Sequence, residues 1–230
     1  MILTHFGSLC FRPAAARSGA AGLALLALAV GSADPAQARP VSYAQGHMLM
    51  ADHSAELDHW SYTYSPSFRW SGSAGFLRLD DLVGTDQLEL SYVRGSRLLK
   101  RWNLPAAQAN VFGWVGAGSA RTFYGRDLAR HVGFQADYET RRIYTAVISE
   151  LHEGPDWSHR MDTVSLGWAP YLHDIDRMAT WVVAKGMRTS NAVDESFNPA
   201  LVLRFFTVRW WLEVGADGDG KPLANLMINL

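Results

Sequence analysis

Hydrophobic and polar residues alternate along most of the chain beyond about residue 45. Trp60, Tyr62 and Tyr64 are separated by Ser61 and Thr63. The same period of two recurs in four other segments: 88–92, 132–140, 163–169 and 224–230. Successive residues of a β-strand point to opposite sides, so each segment has an apolar and a polar face. The pattern predicts an all-β protein.

The alternation and the turn residues between segments predict about twelve strands. A weak first strand leaves ten as the other possible number. The expected strands lie near 46–52, 56–65, 67–78, 86–101, 108–120, 130–140, 142–152, 161–171, 177–188, 198–206, 208–216 and 222–230.

The connections between these strands alternate in expected length. Those after the second, fourth, sixth, eighth and tenth strands are short: 65–67, 103–105, 140–142, 173–176 and 206–207. The others are mostly longer and more polar: 52–55, 79–85, 121–129, 153–160, 189–197 and 217–221. Short turns at one end and longer loops at the other are typical of outer-membrane barrels. We therefore expect a closed antiparallel up-and-down transmembrane β-barrel.

A barrel also accommodates the polar faces of the strands. Backbone groups in hydrocarbon need internal partners, so a sheet that crosses a membrane has to close on itself. A lumen can hydrate or pair polar side chains that the core of a soluble sandwich, the alternative fold, would have to bury. The residues expected to point inward are Glu89, Gln135, Asp137, Glu139, Arg204, Glu213, Asn225 and Asn229.

Aromatic residues near the expected strand ends favour the same fold. Tryptophan and tyrosine prefer the level of the lipid headgroups, where barrels carry aromatic girdles. The residues expected there are Trp60, Trp70, Trp102, Trp157, Tyr171, Trp181, Trp210 and Trp211.

The first residues have the features of a secretory signal. Arg12 and Arg17 precede the apolar stretch 19–30, and Ala36-Gln37-Ala38 offers a cleavage site. This arrangement predicts a cleavable Sec-type signal peptide, 1–38, over the alternative of a retained N-terminal anchor, because a spanning helix needs roughly 20 apolar residues. The remainder, 39–230, is expected to form a single domain.

Removal of this segment changes the chemistry available to the chain. The only cysteine, Cys10, leaves with it, which excludes disulfides and cysteine-based sites. Loss of Arg12, Arg17 and Asp34 leaves 19 basic and 21 acidic residues. This balance gives no basic excess for binding nucleic acid.

Two clusters could bind divalent metal ions, because imidazole and carboxylate groups are ligands for zinc, copper and nickel. One is an expected outer loop with His152, Glu153, Asp156 and His159, and the other comprises Asp52, His53, Glu56, Asp58 and His59. Neither spacing matches an established metal motif. The sequence favours solvated loops, with no cofactor, over metal sites.

An enzyme acting on lipid or peptide is a further alternative. His53-Ser54 and Ser158-His159 are adjacent pairs, and Asp80-Asp81 with Asp86 could mimic the acidic rim of a barrel protease. The chain contains neither GxSxG nor HExxH. We therefore predict no catalytic residues.

The last strand carries a resemblance to a known class. Ala224, Leu226 and Ile228 alternate with polar or flexible residues up to Leu230. This segment resembles the C-terminal strand of bacterial outer-membrane proteins, which the barrel-assembly machinery reads, although that pattern usually ends in Phe or Trp. The resemblance implies a Gram-negative outer-membrane location, lipid as the surrounding partner, and assembly through this strand.

Most of the chain after the signal also resembles a functionally uncharacterised group of short exported proteobacterial barrels. The stretches that carry this likeness are 64–66, 98–103, 169–171 and the closing strand. It implies a porin-like small channel or a structural or binding barrel of unknown substrate. A surface barrel that binds metal through its outer loops is the leading alternative.

Overall fold

A computed structural model describes residues 40–55, 57–80, 87–122, 125–172, 177–191 and 195–230. The predicted signal peptide, 1–38, lies outside the described residues and stays a prediction. Among the described residues, no helix is long and apolar enough to cross a membrane.

The regular structure described is made of twelve strands, at nearly the positions that alternation predicts. They are β1 (Gly46–Ser54), β2 (Leu57–Ser67), β3 (Trp70–Asp80), β4 (Gln87–Leu104), β5 (Ala107–Thr122), β6 (Gly125–Thr140), β7 (Ile143–Glu153), β8 (Ser158–Trp168), β9 (Ala179–Asn191), β10 (Glu195–Phe206), β11 (Trp210–Asp217) and β12 (Pro222–Asn229).

Each strand pairs antiparallel with its neighbours in sequence, and the first strand pairs with the last. The β1–β12 ladder runs from Met48 opposite Asn229 to Ser54 opposite Leu223. The predicted closed, antiparallel, up-and-down barrel of twelve strands is confirmed, and ten strands is excluded. We call the end with the β1–β2 and β11–β12 connections the loop end, and the opposite end the turn end.

Side-chain hydroxyl and carboxylate groups fix several of the connections. Thr140 Oγ1 accepts hydrogen bonds from the N–H groups of Arg142 (3.1 Å) and Ile143 (2.8 Å). Asp217 Oδ1 likewise accepts from Asp219 N (3.0 Å) and Lys221 N (2.9 Å). Local side-chain acceptors of this kind favour turns over continued strand. The Asp217 carboxylate therefore shapes a hairpin turn.

The two sides of the wall differ in polarity. Gln135 and Asp137 on β6 are buried in the lumen, and Phe134, the residue before Gln135, lies 45% exposed on the outer wall. Of the remaining residues expected to point inward, all but one share the lumenal side: Glu139, Arg204, Glu213, Asn225 and Asn229.

The exception is Glu89, and here the prediction is wrong. Leu88 and Leu90 on β4 are almost completely buried in the lumen, so Glu89 between them lies on the outer side. The Glu89 carboxylate lies 3.9 Å from Arg121 of β5, near the loop end. An ion pair on the outer wall close to a strand end remains hydrated, whereas the leucines pack with other lumenal side chains.

The predicted difference in loop length holds only in part: four of the five connections at the turn end leave two or three residues between strands, as predicted, but the difference fails at other connections. The β5–β6 connection, expected to cover 121–129, leaves only two residues between the strands, and the β8–β9 connection at the turn end leaves ten. Polar residues that resemble a loop in the sequence continue the ladder instead, as where Arg121 pairs with Arg126. The strands thus extend further toward the loop end than their apolar alternation does.

The aromatic residues divide between the two sides of the wall. Trp60, Trp70, Trp102 and Tyr171 are exposed on the outside, as expected of a girdle. Trp181 and Trp211 are instead buried in the lumen. Trp157 packs against a lumenal cluster at the loop end, and Trp210 is only partly buried. The girdle prediction is therefore wrong for Trp157, Trp181 and Trp211.

Candidate functional site

Three histidines lie side by side on the lumenal wall. His131 of β6 is directly opposite His152 of β7, which is directly opposite His159 of β8. All three are buried. The ring centroids of His131 and His152 lie 5.0 Å apart in an edge-to-face arrangement. Direct cross-strand neighbours have Cβ atoms about 5 Å apart, so the barrel register alone brings the imidazoles together.

A glutamate lies next to this row of histidines. Glu150 is two residues before His152 on β7 and therefore shares its lumenal side. Its Oε1 atom lies 3.6 Å from His131 Nδ1 and 3.8 Å from His152 Nε2. We call His131, Glu150, His152 and His159 the histidine cluster.

Two large side chains hold the carboxylate of the cluster. Trp114 of β5 donates a hydrogen bond from Nε1 to Glu150 Oε1 over 3.0 Å. Arg94 of β4 places Nη1 3.7 Å from the same oxygen, and its guanidinium lies over the rings of Tyr92 and Trp114 at 5.7 and 5.6 Å. Arg94 is buried, and its Nε and Nη2 atoms have no hydrogen-bond partner among the described residues.

Glycines on the neighbouring strands leave space for these side chains. Gly116 is opposite His131, and a Cβ atom at position 116 would collide with the imidazole. Gly133 is opposite Trp114, and a Cβ atom there would collide with the indole. These two in-strand glycines are thus explained by room for a large partner rather than by wall curvature alone.

A chain of polar contacts extends the cluster toward β1. The rings of Tyr92 and His131 lie 4.8 Å apart. The Tyr92 hydroxyl is 2.6 Å from His59 Nε2, and His59 Nδ1 is 3.2 Å from Asp52 Oδ2. Titratable groups of strands β1, β2, β4, β6 and β7 therefore form one continuous lumenal network.

A second charged group lies elsewhere in the lumen. Glu213 of β11 accepts a hydrogen bond from Arg204 Nε of β10 at 2.8 Å and another from Lys185 Nζ of β9. The Arg204 guanidinium also lies over the rings of Tyr144 and Trp211, at 4.5 and 5.2 Å. The buried carboxylate of Glu213 thus pairs with two buried cations, Lys185 and Arg204.

The structure divides the predicted loop cluster between two sides of the wall. His152 and His159 point into the lumen next to each other. Glu153 instead forms an ion pair with Arg130, at 3.0 Å, and Asp156 is exposed in the β7–β8 connection. The proposal of a metal ion held by all four residues stays a prediction.

The other predicted cluster separates in the same way. Asp52 and His59 meet in the lumen, whereas His53 and Asp58 pair on the outside at 2.5 Å. Glu56 lies outside the described residues. Alternation of strand residues explains the division, because neighbours in sequence occupy opposite sides.

The adjacent serine–histidine pairs are separated by the same geometry. Ser54 is on the lumenal side and His53 on the outer side, whereas His159 is lumenal and Ser158 is not. A nucleophile and its base need hydrogen-bond contact, which opposite sides of a wall do not allow. The side chain of Asp80, and Asp81 and Asp86 as a whole, lie outside the described residues.

Sequence reasoning missed Arg94, Trp114, His131 and Glu150. Glu150 and His152 stand two residues apart on one strand, which is a usable signal for a shared side. The position of His131 next to them depends on the register of β6 against β7. No periodicity along a single strand contains that information.

Comparisons with solved structures give distant likenesses to outer-membrane barrels. No family model matches the chain, and no curated protein matches it in sequence. The KdgM porin in complex with disordered oligogalacturonate has a TM-score of 0.49 and 8% identity, and the KdgM porin has 0.47 and 9%. A loop L8 deletion mutant of OmpT, an outer membrane protein of Vibrio cholerae, has 0.35 and 7%. Each alignment covers 80% of this chain and 97% of the other. Likenesses at this distance carry no inference about what this chain binds or transports.

Proposed function

We propose that the chain is an outer-membrane β-barrel with a narrow, charge-lined lumen that binds small ions or polar solutes. The main support for the membrane location is the apolar surface of the outer wall. Large apolar side chains are exposed there on strand after strand, among them Trp60, Val93, Val132, Val164 and Leu201.

An apolar surface of this kind suits lipid and not water. Soluble monomers rarely expose contiguous apolar patches larger than a few hundred Å². A closed barrel pairs its backbone groups within the sheet, so it can place such a surface in hydrocarbon without unpaired edges. Apolar outer side chains and charged inner ones, such as Glu150 and Glu213, therefore support a membrane barrel over a soluble one.

The first described residues narrow the lumen at the turn end. Ser42 donates from its backbone N–H to Ser65 Oγ at 2.9 Å, and Ser71 Oγ donates to the carbonyl of Pro40 at 2.6 Å. Val41 packs against lumenal Leu98 and Phe112. A segment that contacts strands β2, β3, β4 and β5 lies across part of the mouth.

An apolar layer narrows the lumen at the loop end. Its members come from strands β2 to β6: Leu57, Leu77, Leu79, Leu88, Leu90, Tyr92, Ala120 and Ala129, with Trp157 packed against them. Eight strands give an interior that side chains can fill, and twelve give a wider one. The two constrictions favour a low-conductance or binding barrel over a wide-open porin.

Export and assembly follow from the same proposal. The predicted signal peptide would direct the chain through the Sec system to a Gram-negative cell envelope. We further propose that β12 is the strand the barrel-assembly machinery reads, since Leu226 and Ile228 lie on its outer side. Outer-membrane lipid would be the principal partner of the finished barrel.

Planar-bilayer recordings test this function. We expect the purified barrel to insert and give small conductance steps, and deletion of residues 40–45 to raise the step size because one constriction is lost. The deletion variant must first show the gel mobility of a folded barrel. Wide-pore conductance in the unaltered protein would contradict the narrow lumen. Failure to insert into any bilayer would contradict the membrane location.

A further inference from the structure

We propose that His131, Glu150 and His152 form a lumenal binding site for a divalent transition-metal ion, with His159 as a neighbouring fourth donor. The site shares His152 and His159 with the outer-loop arrangement that the sequence predicts, but the lumenal His131 and Glu150 take the place of Glu153 and Asp156. The inference rests on the geometry of the barrel wall. It does not require that the lumen conducts.

The distances between donor atoms are close to those of a metal site. One ligand atom from each of His131, Glu150 and His152 lies within 4.8 Å of the other two. Two donors bound to one tetrahedral zinc ion lie roughly 3.4 Å apart, because each is about 2.1 Å from the metal. The observed 3.6 and 3.8 Å between the carboxylate oxygen and the two imidazoles require only a small contraction.

The donor set selects a class of metal. Imidazole nitrogens suit zinc, copper and nickel, and a single carboxylate is compatible with all three. Calcium takes six to eight oxygen ligands, and magnesium needs a near-ideal octahedral shell. Two or three histidines with one glutamate therefore favour zinc or copper(II).

The surroundings of the cluster also resemble those of a prepared site. Trp114 donates a hydrogen bond to the glutamate, and an outer partner of this kind orients a ligating carboxylate. The three histidines and the glutamate belong to adjacent strands of a closed wall, which holds ligands more firmly than a loop does. Gly116 and Gly133 leave the space that these side chains occupy.

Arg94 acts as a competitor for the same carboxylate. Its guanidinium lies 3.7 Å from Glu150 Oε1 without a hydrogen bond to it. A metal ion at the cluster would share the oxygen with this cation, and like charges repel. Arg94 therefore weakens metal binding and neutralises Glu150 when no metal is bound.

Titration calorimetry with zinc chloride on the folded, detergent-solubilised barrel tests the site. We expect one zinc ion per barrel. Copper(II) bound at the same site should show nitrogen coupling from imidazole in its electron paramagnetic resonance spectrum. An unaltered barrel that binds neither metal stoichiometrically overturns the proposal without recourse to any variant.

Matched variants separate the lumen from the outer loop. His131→Gln and Glu150→Gln should each weaken zinc binding by at least about tenfold, since even an outer-sphere change costs that much. Glu153→Gln with Asp156→Asn should leave affinity unchanged, as should His53→Asn on the outer wall. The reverse pattern would assign the metal to the loop and refute the lumenal site. Gel mobility before boiling checks that each variant is folded.

Arg94 variants provide a second line of evidence that does not remove a ligand. Arg94→Met should tighten zinc binding several-fold because the competing charge is gone, whereas Arg94→Lys should leave it close to the original value. A purely structural role of the cluster predicts no change in zinc binding for either variant. Weaker binding by Arg94→Met would contradict the proposed competition.

Discussion

At the scale of single residues, the side of the wall decides what a residue can do. His152 and Glu153 are neighbours in sequence, yet one belongs to the histidine cluster and the other to an outer ion pair with Arg130. Alternation predicts this separation, and it correctly predicts that Glu213 and Arg204 point inward. It does not predict that Lys185 joins them, because that contact depends on packing among three strands.

The charged group around Glu213 gives a prediction at this scale. Glu213→Gln should lower the free energy of unfolding by about 3–5 kcal/mol, because two buried cations lose their counter-charge. Urea unfolding of the barrel in lipid vesicles measures the change. The double variant Glu213→Leu with Lys185→Met should be less destabilised than Glu213→Gln alone, because only Arg204 is then left without a counter-charge. A Glu213→Gln barrel as stable as the parent would mean that the lumen hydrates the cations.

At the scale of elements, the strands are predictable because alternation is a local property. Which side of each strand faces the lumen is harder to predict. Leu88 and Leu90 of β4 would suit either lipid or an apolar layer inside the barrel, and only the neighbouring strands decide between them. Strand ends fail for a related reason, since Arg121 and Arg126 continue a ladder while resembling a polar loop.

The second prediction compares substitutions in the middle and at the end of strand β8. Val164→Arg, in the middle of the outer side of β8, should destabilise the barrel by about 2–4 kcal/mol, because arginine is costly near the bilayer midplane. Ser158→Arg, at the loop end of the same strand, should cost at most about 1 kcal/mol. Reversible unfolding in vesicles compares the two. Equal effects at both positions would be inconsistent with a lipid-facing wall.

At the scale of the whole molecule, the correct fold follows from a partly incorrect premise. The expected difference between short turns and long loops is only partly present in the strand bounds, since the β8–β9 connection at the turn end leaves ten residues and the β5–β6 connection at the loop end leaves two. What the sequence does contain is twelve amphipathic segments, ending in one that can pair with the first. Closure of the barrel gives the backbone groups on both edges of every strand a hydrogen-bonding partner. A sheet in hydrocarbon requires this.

A cysteine pair tests closure directly. Ala51 of β1 is opposite Leu226 of β12, and the only natural cysteine, Cys10, precedes the predicted cleavage site. Oxidation of the Ala51→Cys, Leu226→Cys variant should give a boiled sample that migrates faster until it is reduced. The pair Ala51→Cys, Val164→Cys, on distant strands, should give no crosslink. Absence of crosslinking at 51 and 226 would argue against the β1–β12 ladder.

The pairing of Met48 in β1 with Asn229 in β12 also affects the order in which the barrel can assemble. Strand β1 pairs with β2 along one edge and with β12 along the other, so its second edge stays unpaired until β12 is in place. Until then the partly paired strands carry an open edge and an uncovered apolar surface, the combination that leads to aggregation. We therefore expect the barrel to be most prone to aggregation while β12 (Pro222–Asn229) is unpaired, and pairing of β12 with β1 to end that exposure.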